Sequence, residues 1–230
     1  MTAPAARVET LLAERLAAEL DDRETADALA RTLVEIALTW RARAVPVEEI
    51  RTIIGFTFGN RMAPSGNRAP GPVNQALADI AVRLHQATGA RVWAQWEVAE
   101  AIGERLGADA LEAIYPARDT TAEPRFLSTG GVVEAVVSRG GGAAALGTVA
   151  VVAVRDHAWR CVDLCRRHGL HAGVPAGWTL PELYDPDSGQ PWTRERLAYL
   201  LHDLHCRALD RRDALSGEPD RALSPSGPLR

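Results

Sequence analysis

The sequence predicts an α/β domain with a mainly parallel sheet, preceded by a helical extension. Three observations carry that prediction. Short apolar runs of strand length alternate with stretches of helical spacing, glycine and proline stand where elements must stop, and residues 1–45 keep helical periodicity without a strand-like run. Strands alternating with helices of roughly 10–15 residues require right-handed crossovers and parallel pairing.

The extension reads as two helices. Val8, Leu11, Leu12, Leu16 and Leu20 recur at helical spacing, and Leu29, Leu33, Ile36, Ala37 and Trp40 do so again. Asp21 and Asp22 lie between them, placed to cap the second helix, and Pro46 breaks the pattern. From residue 51 the rhythm changes. Ile53 to Phe58 is β-branched and aromatic, a buried strand, and a Gly/Asn/Pro-rich loop from Gly59 to Gly71 follows. Pro72 opens a helix with an apolar face at Leu77, Ile80, Ala81 and Leu84, stopped by Gly89. Ala90 to Trp96 is a second strand, and a helix runs on to about Gly107.

Leu111 to Tyr115 is a short apolar stretch, followed by a polar loop to Ser128-Thr129-Gly130-Gly131. Val132 to Val137 suits either a helical turn or a strand. The clearest unit comes next. Thr148 to Val154 is a fully apolar strand, Asp156 is placed as N-cap of a helix over His157–Arg167, and Gly169 closes it. Leu170 to Val174 is a further strand. A polar loop with two aspartates then leads to a last helix from Thr193 to about Leu209. The organisation expected is a helical extension over 1–46, an α/β domain over 47–212 and a Pro/Ser/Gly-rich disordered tail over 213–230.

Composition narrows the function. With 47% hydrophobic residues in 230, one large core is affordable in sequence terms, and a net charge of −4 without a basic run argues against nucleic acid. No lysine occurs, which excludes Schiff-base chemistry, a P-loop lysine and a covalent pyridoxal-phosphate link. Acidic residues interrupt the first apolar stretch, so neither a signal nor a membrane span is expected. Three cysteines fit reduced thiols in the cytoplasm.

In parallel sheets ligands bind outside the carboxyl ends of the strands, which ranks the polar residues there. Gly59, Asn60 and Arg61 leave the first strand; glycine lets backbone amides approach an anion, and arginine can clamp a phosphate or carboxylate. A plain surface loop is the alternative. Glu97 ends the second strand, as a base, as a ligand for ribose or an amine, or as a first-turn glutamate facing the helix dipole. Ser128 and Thr129 are either ligand donors or a turn. His157 follows the third strand at an anion-friendly helix start, with Arg160 one turn on. Cys161, Cys165, His168 and His171, and again His202, His205 and Cys206, have spacings like metal ligands, yet no CxxC pair is present and buried packing suits them better; no metal site is expected.

The segment Val149 to Arg160, continuing to His168-Gly169-Leu170, resembles the closing motif of the DUF218 family (the YdcF/SanA/ElyC-like proteins): an apolar strand, a histidine, an arginine three residues later, a helix, and a glycine before the next strand. Ile53 to Gly59 and Arg91 to Glu97 are loosely similar to the family's first two strands. The resemblance spans about residues 50–175. It implies a Rossmann-like three-layer sandwich and a soluble protein, with S-adenosylmethionine or another nucleotide-like molecule as a candidate ligand. The family's acidic-Ser-Thr-Asn pattern is reduced here to Ser128-Thr129.

Two functions are therefore expected as rivals. One is a small-molecule enzyme, a transferase or hydrolase, with a nucleotide-like or phosphate-bearing ligand cradled by Gly59, Asn60 and Arg61, oriented by Glu97 and Thr129, and met by His157 and Arg160. The other is a non-catalytic sensor or assembly protein that forms a homodimer through its N-terminal helices.

Overall fold

The structure, a computed structural model, describes residues 3–116 and 127–217. Helices α1 (Ala3–Leu20) and α2 (Arg23–Leu38) form the expected pair. Asp22 caps α2, accepting the Thr25 amide at 3.0 Å and the Thr25 hydroxyl at 2.6 Å. Next come β1 (Ala44–Val45), β2 (Ile50–Gly55), the two-residue strands β3 (Arg61–Met62) and β4 (Arg68–Ala69), α3 (Pro72–Thr88), β5 (Arg91–Gln95), α4 (Trp96–Ile102) and β6 (Leu111–Ile114). Beyond them lie α5 (Thr129–Arg139), α6 (Ala143–Leu146), β7 (Thr148–Val152), α7 (Arg155–Arg167), β8 (His171–Pro175) and α8 (Arg196–Ser216).

Six strands make one parallel sheet in the order β1-β8-β7-β2-β5-β6. Successive residues of each strand point to opposite faces. Ile53, Val92, Ala150 and Val152 join Leu77, Leu84 and Val98 of α3 and α4 in one core. Ile54, Trp93, Val149 and Val151 join Val132, Val136, Cys161 and Leu164 of α5 and α7 in the other. Each fully buried isoleucine here contributes about 1.5–3 kcal/mol over an exposed one. The result is a Rossmann-like three-layer sandwich. α8 packs across α2 and α7, and no helix among the described residues is long and apolar enough to cross a membrane.

Several local expectations are corrected. The strand predicted over Ile53–Phe58 runs over Ile50–Gly55, because the buried Asn74 of α3 captures Thr57 and Phe58 and turns the chain out of the sheet. The loop from Gly59 to Gly71 is not irregular throughout: β3 and β4 pair as an antiparallel hairpin. Val132–Val137 is helical. Ser128 caps α5 by accepting the Gly131 amide at 3.0 Å. Asp156 is not an N-cap; α7 begins at Arg155, and the Asp156 carboxylate accepts from Tyr184 and Arg196 instead. The last helix starts at Arg196, since Thr193 spends its hydroxyl on Ser188 and the Gln190 carbonyl within a preceding 3₁₀ turn. It also continues to Ser216, past the expected start of the tail; residues 218–230 lie outside the described residues.

Ala44–Val45, placed by the sequence in the helical extension, adds an edge strand to β8 through the Val174 amide on Arg43 O (2.8 Å) and the Ala176 amide on Val45 O (2.9 Å). Gly173 makes this approach feasible. A Cβ there would lie 2.8 Å from Arg43 O and 2.9 Å from Val45 Cγ1. Gly173→Ala is therefore expected to release β1 and cost about 1–3 kcal/mol. Hydrogen exchange at Val174 and Ala176 checks it: unchanged protection in the variant would contradict this account.

Candidate functional site

Strand order reverses between β2 and β7: the chain proceeds outward from β2 through β5 and β6, then returns to β7 and β8 on the other side. In open α/β sheets such a switch point opens a crevice at the carboxyl ends. The segments there are 56–60 after β2, 95–97 at the end of β5, and 153–157 after β7. Asn74 fixes the first: its Oδ1 accepts from the Phe58 amide at 3.0 Å and the Thr57 hydroxyl at 2.7 Å, while its Nδ2 donates to Gly59 O at 2.8 Å. Gln95 links β5 to both flanks, accepting from the Thr57 amide and donating to Leu127 O, each at 3.3 Å.

Glu97 sits in the first turn of α4 and is 3% exposed. Burial pushes its carboxyl up to about 7, against the opposing pull of its own backbone, the Asn60 and Thr57 side chains, and the charge of Arg68. Asn60 is as deeply buried, at 2%. The Asn60 side chain lies close enough to the Glu97 carboxyl to lower its pKa, yet neither Glu97 Oε2 nor Asn60 Nδ2, both removed from water, makes a hydrogen bond of normal geometry. Such groups cost about 1–3 kcal/mol each, so their persistence at a strand end calls for a physical reason.

His157, Arg160 and Thr129 form a second group. Arg160 Nη1 donates to Thr129 Oγ1 at 3.3 Å, and Nη2 to His157 Nδ1 at 3.4 Å, which leaves the imidazole proton on Nε2. The centre of this group is Asp203 of α8, fully buried. It accepts from Arg160 Nε and Arg207 Nε, both at 2.7 Å, and from Tyr199 OH at 3.2 Å. Burial alone would raise the Asp203 carboxyl, but the neighbouring imidazole and the charges of Arg160 and Arg207 outweigh it and hold it well below the carboxylate range. His157 Nδ1 stands 3.9 Å from Oδ1, beyond hydrogen-bond reach, so the two guanidiniums do most of the holding. The imidazole is packed by Phe56, Phe58 and Tyr199 rings. Burial, and then Arg160, push it down to about 4, so it is neutral at physiological pH.

Gly59 and Arg61 face the chain's own segment 185–193. Gly59 has φ +71°, and a Cβ on it would fall 2.5 Å from Ser188 Oγ and 2.7 Å from Thr193 Oγ1. Its freedom serves that packing rather than an anion. Arg61 grips Asp185 through Nε at 2.8 Å and Nη2 at 2.7 Å, with Asp187 at 3.1 Å. The structure thus joins Asn60 to Glu97, and Thr129 to Arg160 and His157. Arg61 is engaged by Asp185 and Asp187, and His157 is buried, so the open cleft expected to hold both is not formed by these two side chains.

Asp203, Tyr199 and Asn74 were not expected at the site. A signal for the first two exists in the spacing Tyr199, Asp203, Arg207, one turn apart on α8. Cys161, Cys165 and Cys206 are buried thiols, and burial pushes Cys165 up to about 12. Among the described residues no three His, Cys, Asp or Glu side chains gather so as to hold a metal ion. Compared with protein-family models, curated proteins and solved structures, the chain finds no match in any of the three.

Proposed function

We propose that the protein is a small-molecule enzyme that takes a nucleotide-like ligand at the carboxyl ends of β2, β5 and β7, with Glu97 as its acid/base group. One observation carries the reading: a buried carboxyl at a strand end, held near neutrality with an oxygen left without a partner. His157 and Arg160 build the wall on the β7 side. The parts of a ligand such as S-adenosylmethionine that fit are its hydroxyl and amino groups, which suit a carboxyl and an amide. A pyrophosphate does not fit the β2 loop, where Gly59 and Arg61 are occupied by Ser188, Thr193 and Asp185. The resemblance of segment 149–170 to DUF218 proteins points the same way.

The test is thermal stabilisation against a panel of nucleosides, nucleotides and S-adenosylmethionine. A ligand present at 100 times its Kd raises stability by about 2.7 kcal/mol, a shift of roughly 5–10 °C for a chain of this size. Stabilisation by none of them would overturn the reading.

A second reading, a non-catalytic protein that dimerises through its N-terminal helices, is favoured by one observation: Val8 and Leu11, one turn apart on α1, are 46% and 58% exposed. Light scattering on the full chain separates the two. A dimer that becomes a monomer in Leu11→Glu, together with no response to any ligand of the panel, favours this second reading.

A further inference from the structure

Glu97 Oε2 and Asn60 Nδ2 belong to neighbouring strands. β2 and β5 run in register, with Gly55 opposite Ala94, so the residues that follow each strand emerge side by side. Asn60 is fixed from behind, because its carbonyl accepts the Gly189 amide at 2.7 Å and the Ser188 hydroxyl at 3.4 Å. Glu97 is fixed by the first turn of α4. Both side chains are buried, and the polar residues Thr57, Asn74 and Gln95 around them all have partners.

What the pair lacks is specific. Glu97 Oε2 can accept a hydrogen bond, and Asn60 Nδ2 can donate one. A single hydroxyl group satisfies both at once, giving its hydrogen to the carboxylate and taking one on its oxygen from the amide. A phosphate would meet the amide but be repelled by the carboxylate; an ammonium would meet the carboxylate and leave the amide unsatisfied. The position in the fold agrees. β5 is the first strand outward from the switch strand β2, and in doubly wound dinucleotide folds an acidic residue at that strand end binds ribose hydroxyls.

We infer that Glu97 and Asn60 form a hydroxyl-recognition site, and that the ligand portion it takes is the sugar ring of a nucleoside. This rests on the nucleotide-like reading above and deepens it: the sugar is held at β5 while the β2 loop offers no phosphate cradle. The ligand's phosphates therefore contribute little to affinity.

Titration calorimetry of the full chain at pH 7.5 with adenosine, its 2′-deoxy and 3′-deoxy forms, inosine and ATP tests it, on the native protein and on Glu97→Gln and Asn60→Ala. Adenosine and ATP are expected to bind within a few-fold of each other, and removal of one sugar hydroxyl to weaken binding about tenfold or more, the loss of one hydrogen bond to a charged group. Each variant is expected to lose a similar factor for adenosine and to bind the matching deoxy form as the native protein does. ATP binding that neither variant weakens would overturn the hydroxyl site and leave the nucleotide reading standing, with a water bridging the pair. Binding that falls for inosine and not for the deoxy forms would overturn it in favour of base recognition. No binding of any of the five would overturn both.

Discussion

Asp203→Asn is expected to lower the thermal midpoint by roughly 10 °C. Asp203 neutralises Arg160 and Arg207 at once, at 2.7 Å each, and both its oxygens are used. Arg207 is 2% exposed and lies between the Trp40 and Trp159 rings, 4.1 and 4.2 Å from their centroids. Removing one partner of a buried ion pair leaves an uncompensated charge and costs about 3–5 kcal/mol, and for a chain of this size each kcal/mol is about 2–4 °C. The pH dependence has a definite sign. Since the folded-state carboxyl is held below its ordinary value, its stabilisation is complete above the unfolded pKa of about 4. The gap between native protein and variant should be constant from pH 5 to 8 and shrink only under stronger acid. A Tm series over that range and on into acid below about pH 4, with chemical denaturation at one pH, checks both points. A variant within 2–3 °C of the native protein, about 1 kcal/mol, would mean that Asp203 does not hold this junction together.

Glu97 runs the other way. Its carboxyl is raised from 4.5 to about 7 by burial. Between those values the folded protein keeps a proton that the unfolded chain has released, so stability falls as pH rises through that window and then levels off. The fall is at most roughly 3 kcal/mol, the equivalent of that shift. Glu97→Gln keeps the shape and removes the titration. The variant is expected to match the native protein near pH 4.5 and to exceed it by up to that amount at pH 8, a divergence that unfolding curves at the two pH values would show. A difference that does not change with pH would remove the basis for Glu97 as a group poised near neutrality. The same substitution that weakens hydroxyl binding thus stabilises the fold, as expected where a side chain is kept for chemistry at the expense of packing.

Much of this architecture was legible in the sequence because the physical signals are local. Val149–Val152 is apolar without interruption, which a strand buried on both faces requires, and Pro72 and Gly89 bracket α3 by their backbone geometry alone. Glu97 was legible as a strand-end acid. What the sequence did not show depends on partners far along the chain. Asp156 reads as an N-cap until Arg196 arrives to claim it. Arg61 reads as an anion clamp until Asp185 does the same. Gly59 reads as a ligand glycine, and only the packed loop from 185 to 193 reveals what its missing side chain admits. β1, two residues long, carries too little periodicity to register.

Arg207 also sets an order of events. Its Nη1 donates to Ile36 O at 3.0 Å and Thr39 O at 2.6 Å, joining residues 171 and 168 positions apart. During synthesis the first two helices leave the ribosome long before α8 exists, and the carbonyls ending α2 must wait in water until it does. Contacts of such separation close late. The N-terminal hairpin is therefore fastened last, by the C-terminal helix, and a nascent chain arrested before residue 207 should show that hairpin open to protease while the central sheet is already protected.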